Sequence, residues 1–140
     1  MPIGLIVGLV LVAACAAPEP QTQPTYRSPV IEISPNNLGQ YWVVDKSTVS
    51  RPPSRFRPGG PCQMVKLAYT IDSQGQVFDI EVIDSFPNES FVPTAKRILR
   101  ARQFKPGEDN PERIPVRTVS TELLQLSSAG CGHLRRRQQG

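Results

Sequence analysis

Few side chains in this 140-residue chain are of a type and spacing that could do acid–base or metal chemistry. The one histidine, His133, stands in a Gly- and Arg-rich stretch. Without a second imidazole there is no His-based pair to hold a metal ion, so no metal site is expected. Asp79, Glu81 and Asp84 are close together, but residues two apart on a strand share a face, and the face of Asp79 and Glu81 reads as one open to water. Ser85 and Ser90 have no base nearby to activate them. No glycine-rich phosphate loop occurs. The chain is therefore expected not to be an enzyme and to need no cofactor. The remaining candidates for chemistry are three cysteines, Cys15, Cys62 and Cys131.

Cys15 follows an apolar run. Residues 1–14 carry no charged side chain, and Ile3 to Val12 is almost wholly apolar. That run has the length of a signal-peptide core and falls short of the ~20 residues that cross a bilayer. Leu11-Val12-Ala13-Ala14-Cys15 resembles the lipobox of bacterial lipoproteins, where a branched apolar residue and two small ones precede the lipidated cysteine. The resemblance implies a signal peptide over 1–14, with Cys15 as mature terminus and its thiol alkylated by a diacylglycerol. Ala16 is not Asp, which by the same resemblance implies the outer membrane. The opening MPIG departs from the pattern in lacking Lys and Arg. An ordinary cleaved signal in which Cys15 is incidental, and a true start upstream of Met1, are the alternatives.

Residues 15–53 are rich in Pro, Gln, Ser and Thr and are expected to be a mostly disordered tether. Fully extended, such a linker reaches on the order of 120 Å. Two apolar patches interrupt it, Val30–Ile33 and Tyr41–Val44, the second holding the only tryptophan, Trp42. Either can add an edge strand to the domain, dock on a partner, or form only a short strand or local cluster of its own. A folded domain is expected over 54–128 and a basic flexible tail over 129–140. The net charge of +4 and pI near 9.3 are mildly basic. No aromatic-interleaved basic motif accompanies them, so no nucleic-acid partner is expected.

Within the domain, Val65, Leu67, Tyr69 and Ile71 alternate with Met64, Lys66, Ala68 and Thr70, which predicts a strand with one buried face. Asp72-Ser73-Gln74-Gly75-Gln76 is a turn, and Val77 to Asp84 a second strand, completing a hairpin. The step of three from Val77 to Ile80 suggests a bulge. A helix is predicted from an N-cap at Ser90, with Pro93 in its first turn, to near Gln103. Phe91, Ala95, Ile98 and Leu99 form its apolar face, and Lys96, Arg97 and Arg100 point outward. After a loop from Pro106 to Pro111, Ile114 to about Leu126 reads as a third strand. The expected fold is α+β, a small β-β-α-β domain: a three-stranded antiparallel sheet with one helix on one face.

The series Ile71-Asp72, Gly75, Val77, Asp79, Val82, Ser85, Pro87, Phe91, Ala95, Phe104 and Pro106 resembles the TonB C-terminal domain family. The resemblance covers close to half the chain. Three positions depart from the pattern. Arg102 stands where the family usually has Trp, Gln63 where a Gly precedes the first strand, and Arg51-Pro52-Pro53 is the nearest substitute for the upstream Tyr-Pro motif.

The resemblance implies a non-catalytic periplasmic protein-binding module of the bacterial envelope, which binds partner segments by strand addition at its sheet edge. The third strand would supply that edge, with Arg117, Val119, Thr121 and Leu123 as partner-binding residues. Implied partners are envelope proteins, outer-membrane transporters among them, with the membrane reached through the lipid anchor. The missing Tyr-Pro motif counts against transporter binding. A genuine TonB-type energy transducer whose amino terminus lies upstream is one alternative. A structural envelope lipoprotein that assembles with itself, as a homodimer, or with the cell wall is another.

If Cys15 is lipidated, an even pair of cysteines is left in an oxidising compartment. Cys62 precedes the first strand and Cys131 follows the third, so antiparallel neighbours would bring them together. A disulfide between Cys62 and Cys131 is expected, with two separate thiols as the alternative.

Overall fold

The computed structural model describes residues 22–51 and 62–124. Cys15 with the signal segment expected before it, the expected boundary at 53/54, Cys131, His133 and the expected tail 129–140 lie outside the described residues. In chain order the elements are β1 (Ile31–Glu32), α1 (Leu38–Tyr41), β2 (Trp42–Val44), β3 (Gln63–Ile71), β4 (Val77–Phe86), α2 (Val92–Ala101), β5 (Phe104–Pro106) and β6 (Val116–Leu124). Short 3-10 turns occupy Pro35–Asn37 and Lys46–Thr48.

The alternation of β3 builds the core. Val65, Leu67, Tyr69 and Ile71 are buried, and Val77, Val116 and Leu124 join them from the strands on either side. β3 pairs antiparallel with β4 and with β6, so it is the centre of the sheet. The bulge expected between Val77 and Ile80 is present as the register shift at Ala68/Thr70, with Asp79 at φ 51°; a second shift at Lys66/Leu67, opposite Ile83, was not expected. At the hairpin, Asp72 Oδ1 accepts from the Gln74 and Gln76 N–H groups, both at 2.9 Å. Gly75 has φ 84°, and a Cβ there would collide with the Phe104 carbonyl, so only glycine fits this turn.

α2 lays Phe91, Thr94, Ala95, Ile98 and Leu99 on the sheet. Its start differs from the expected cap. Phe91 holds the N-cap position without a side-chain bond, while Ser90 turns its hydroxyl to Gln63 Oε1 and its N–H to Asn88. The helix stops at Arg102, where the backbone becomes extended and runs into β5.

Two expectations are corrected. Among the described residues the sheet is four-stranded and mixed, in the order β1-β6-β3-β4, with β1 parallel to β6; a separate two-stranded sheet pairs β2 with β5, and there are two α-helices. Second, residues 22–51 do not form the disordered tether expected over 15–53. Trp42 is 1% exposed in the main core, its Nε1 donating to the Ile114 carbonyl at 2.9 Å. The Gly107 N–H donates to the Tyr41 carbonyl, and the Asp45 N–H to that of Gln103. Further upstream, Thr25 N–H donates to Asp72 Oδ2 and Arg27 N–H to Ser73 Oγ. The physical reason is that a Pro-rich segment too poor in apolar residues to fold alone can still bury the few it has on a core made by others.

Candidate functional site

The main-chain geometry of β6 decides where another strand can be added. Ile31 N–H donates to the Pro115 carbonyl at 3.1 Å and Ile33 N–H to that of Arg117 at 3.0 Å. Arg117 thus turns its main-chain groups away from β3. By the two-residue period of a strand, Val119, Thr121 and Leu123 turn theirs the same way. β1 ends before it reaches them. Among the described residues, the main-chain groups of Val119, Thr121 and Leu123 have no strand opposite them.

The surroundings of this stretch are a groove of about 720 Å³ lined by Pro35, Asn36 and Leu38 on one side and by Met64, Lys66, Asp84 and Val119–Thr121 on the other. The side chains of Val119, Thr121 and Leu123 lie on the sheet face away from α2. That face also carries Ile83, half exposed, beside Ala68 and Val119. Leu123 packs with Cys62, Met64 and Phe86, so its side chain is partly committed within the domain.

Of the residues expected to meet a partner, Arg117 is placed differently from the rest. Its guanidinium reaches back across the sheet, 2.9 Å from Glu81, 3.2 Å from the Asp79 carbonyl and 3.3 Å from Thr70 Oγ1. It clamps β6 to β3 and β4. Asp79 and Glu81, read as solvated, have partners: the Tyr26 hydroxyl donates to Asp79 at 3.3 Å, and Glu81 pairs with Arg117. Partial burial and the Asp79 carboxylate both push the Tyr26 phenol above its ordinary pKa.

Sequence reasoning missed a pair on the helix side. Arg102 forms two parallel bonds of 2.7 Å to Glu122, both side chains being largely shielded. The Ser120 hydroxyl donates to the same carboxylate at 3.3 Å. Glu122 lies opposite Val65 on the buried face of β6, and a carboxylate inserted among Val116, Thr118 and Leu124 was the available signal. This arrangement fixes the end of α2 to β6. It offers no nucleophile or open coordination position.

Among the described residues no cluster of three His, Cys, Asp or Glu side chains could hold a metal, and no helix is long and apolar enough to cross a membrane. Cys62 is buried at the foot of β3, 4% exposed.

Residues 64–122 match the family model of the Gram-negative bacterial TonB protein C-terminal. The fold is similar to the solution NMR structure of the Pseudomonas aeruginosa TonB CTD, at a TM-score of 0.50 and 19% identity, over 66% of this chain and 91% of that one. At that identity the likeness is one of fold. A search of curated proteins finds no match to the chain. The family resemblance carried by Ile71 to Pro106 and the family match therefore fall on the same stretch.

Proposed function

We propose that the chain is a non-catalytic, periplasmic protein-binding module of the bacterial envelope, taking an extended partner segment by strand addition at the edge of β6. The observation that carries this is the row of outward main-chain groups at Val119, Thr121 and Leu123, flanked by a groove. Main-chain bonds supply affinity in this mode, and the pockets beside the edge read alternate side chains. Val119 and Thr121 meet the partner directly. Leu123 contributes its backbone, and Arg117 holds the strand that receives it. Partners are proteins of the envelope, outer-membrane transporters among them. Diacylation of Cys15 would anchor the module, and a Cys62–Cys131 disulfide would staple it. The family match over 64–122 and the lipobox-like sequence before Cys15 support this reading.

Proline at Val119 tests the edge. The Val119 N–H points away from β3, so the substitution removes an outward donor and leaves the β3–β6 ladder whole. Circular dichroism is expected to show a folded Val119→Pro protein, and its capture of envelope proteins to fall at least tenfold against the wild type. Equal capture by a folded variant would exclude strand addition at this edge.

A further inference from the structure

The segment beside β6 is built to stay short. Along β1 the donors that face β6 are Ile31 and Ile33. The next residues of the same parity are Pro29 upstream and Pro35 downstream, and neither has an N–H to give. The segment thereby donates two bonds to the β6 side, 3.1 and 3.0 Å long, and accepts one in the parallel pairing, from the Arg117 N–H to the Ile31 carbonyl. Pro35 also opens the 3-10 turn Pro35–Asn37 behind the Ser34 cap, whereas Pro29 is exposed and no packing accounts for it. Ile31 and Ile33 are only partly buried, and Glu32 between them faces water. By contrast the segment is held firmly on either side: upstream by the bonds of Thr25 and Arg27 to Asp72 and Ser73, downstream by Trp42 in the core. A stretch anchored at both ends and bonded weakly between them can lift without releasing its ends.

We propose that β1 is a removable occupant of the binding edge, and that the full edge runs from Pro115 to Leu123. This inference rests on the reading of β6 as the site of strand addition. With β1 in place, three outward residues are open: Val119, Thr121 and Leu123. When it lifts, the Pro115 and Arg117 carbonyls and the Arg117 N–H join them, and the Pro35–Asn37 wall of the groove moves with it. The partner is then an extended segment long enough to pair along the whole of β6, lying where β1 lay. β1 is its intramolecular competitor, and the partner's apparent affinity is reduced by the fraction of molecules in which β1 is down.

Amide exchange on the full chain tests the lifting without any partner. In the wild type, the Ile31 and Ile33 amides are expected to exchange at least tenfold faster than those of Leu67 and Tyr69 in β3. Pro29→Val restores a donor of the right parity at an exposed position and is expected to slow Ile31 and Ile33 severalfold. Exchange of Ile31 and Ile33 at the rate of the β3 amides in both proteins would mean that β1 opens only with the whole domain, and would overturn the proposal. The edge itself is probed with a synthetic peptide of residues 28–34, the β1 segment supplied in trans at millimolar concentration. Ile33→Pro removes one of the two donors and loosens β1. The peptide is expected to shift the amide resonances of Arg117, Val119 and Thr121 in Ile33→Pro, with at least tenfold tighter binding than in the wild type. No shift in a folded Ile33→Pro chain would overturn the claim that a strand takes the vacated place. Failure of the exchange test leaves Val119, Thr121 and Leu123 as an edge; loss of that edge is read separately, by Val119→Pro.

Discussion

Arg102 and Glu122 show how one residue can change role when its environment changes. At the end of α2 a guanidinium replaces the large aromatic that the resemblance leads one to expect, and a carboxylate on the buried face of β6 receives it through two 2.7 Å bonds. Removing one partner leaves the other charge shielded and unpaired, which is the costly outcome. Glu122→Ala is expected to lower stability by about 2–3 kcal/mol, measured by urea unfolding. Pairing it with Arg102→Met should recover more than half of that loss, and a double-mutant cycle reads the coupling directly. A second residue-scale effect concerns Tyr69. Burial, its chief cause, pushes the phenol above the ordinary value of 10.0. Above that pH the unfolded chain gives up the proton while the fold retains it, so the unfolded state binds fewer protons and stability falls. The contribution is whole below pH 10.0 and is lost as the pH rises through the folded value. The urea midpoint of the wild type is expected to drop more steeply above pH 10 than that of Tyr69→Phe; parallel curves would remove Tyr69 from the alkaline transition.

Among the elements, β2 matters more than its three residues suggest. It delivers Trp42 to the core and pairs with β5, and Gly75 and Gly107 let the two layers approach at backbone distance. Trp42→Ala is expected to cost about 3–5 kcal/mol, since a large aromatic leaves a cavity that the sheet cannot close. A chain beginning at Ser54 lacks β1 and β2 as well, and should melt well below the full chain; equal melting temperatures would show that residues 22–51 add nothing to stability. β3 and α2 were legible because each carries its own period, Val65 to Ile71 in steps of two and Phe91, Ala95, Ile98 and Leu99 on one helix face, while β4 and β6 were bounded by the turn and loop residues around them. β1 and β2 had no such period. Their apolar patches left an edge strand and a docking site equally open, and their burial was decided by surfaces that other segments make. The expectation of a partner edge on β6 came from the family resemblance and the chain order, and the parity of Val119, Thr121 and Leu123 is visible only once the pairing with β1 is known. The inward turn of Arg117 was not legible, because the bulge at Asp79 that brings Glu81 within its reach is a matter of register.

For the molecule as a whole, a core this small gains from any link that ties its strands together. The β3–β6 register pairs Gln63 with Leu124, so the chain leaves β6 directly beside Cys62. Cys131 follows within a few residues, with Gly130 and Gly132 on either side to let it turn. A bond between them would close a loop over β3, β4, α2 and β6 together. In the chain-entropy model, closing a loop of about 70 residues is worth roughly 4 kcal/mol, less any strain. That is a large fraction of the 5–15 kcal/mol that holds a typical domain together. The bond would also tie β3 to β6 at the end where Leu123 packs on Cys62 and Met64. Thiol titration of the unfolded protein purified from the periplasmic face is expected to find no free sulfhydryl, with Cys15 alkylated and Cys62 bonded to Cys131. Two free groups would end the staple and leave the lipid anchor standing; one would end the anchor and leave the staple. Reduction with dithiothreitol should lower the urea midpoint of the wild type and leave that of Cys62→Ala unchanged, because the substituted chain has no loop to open.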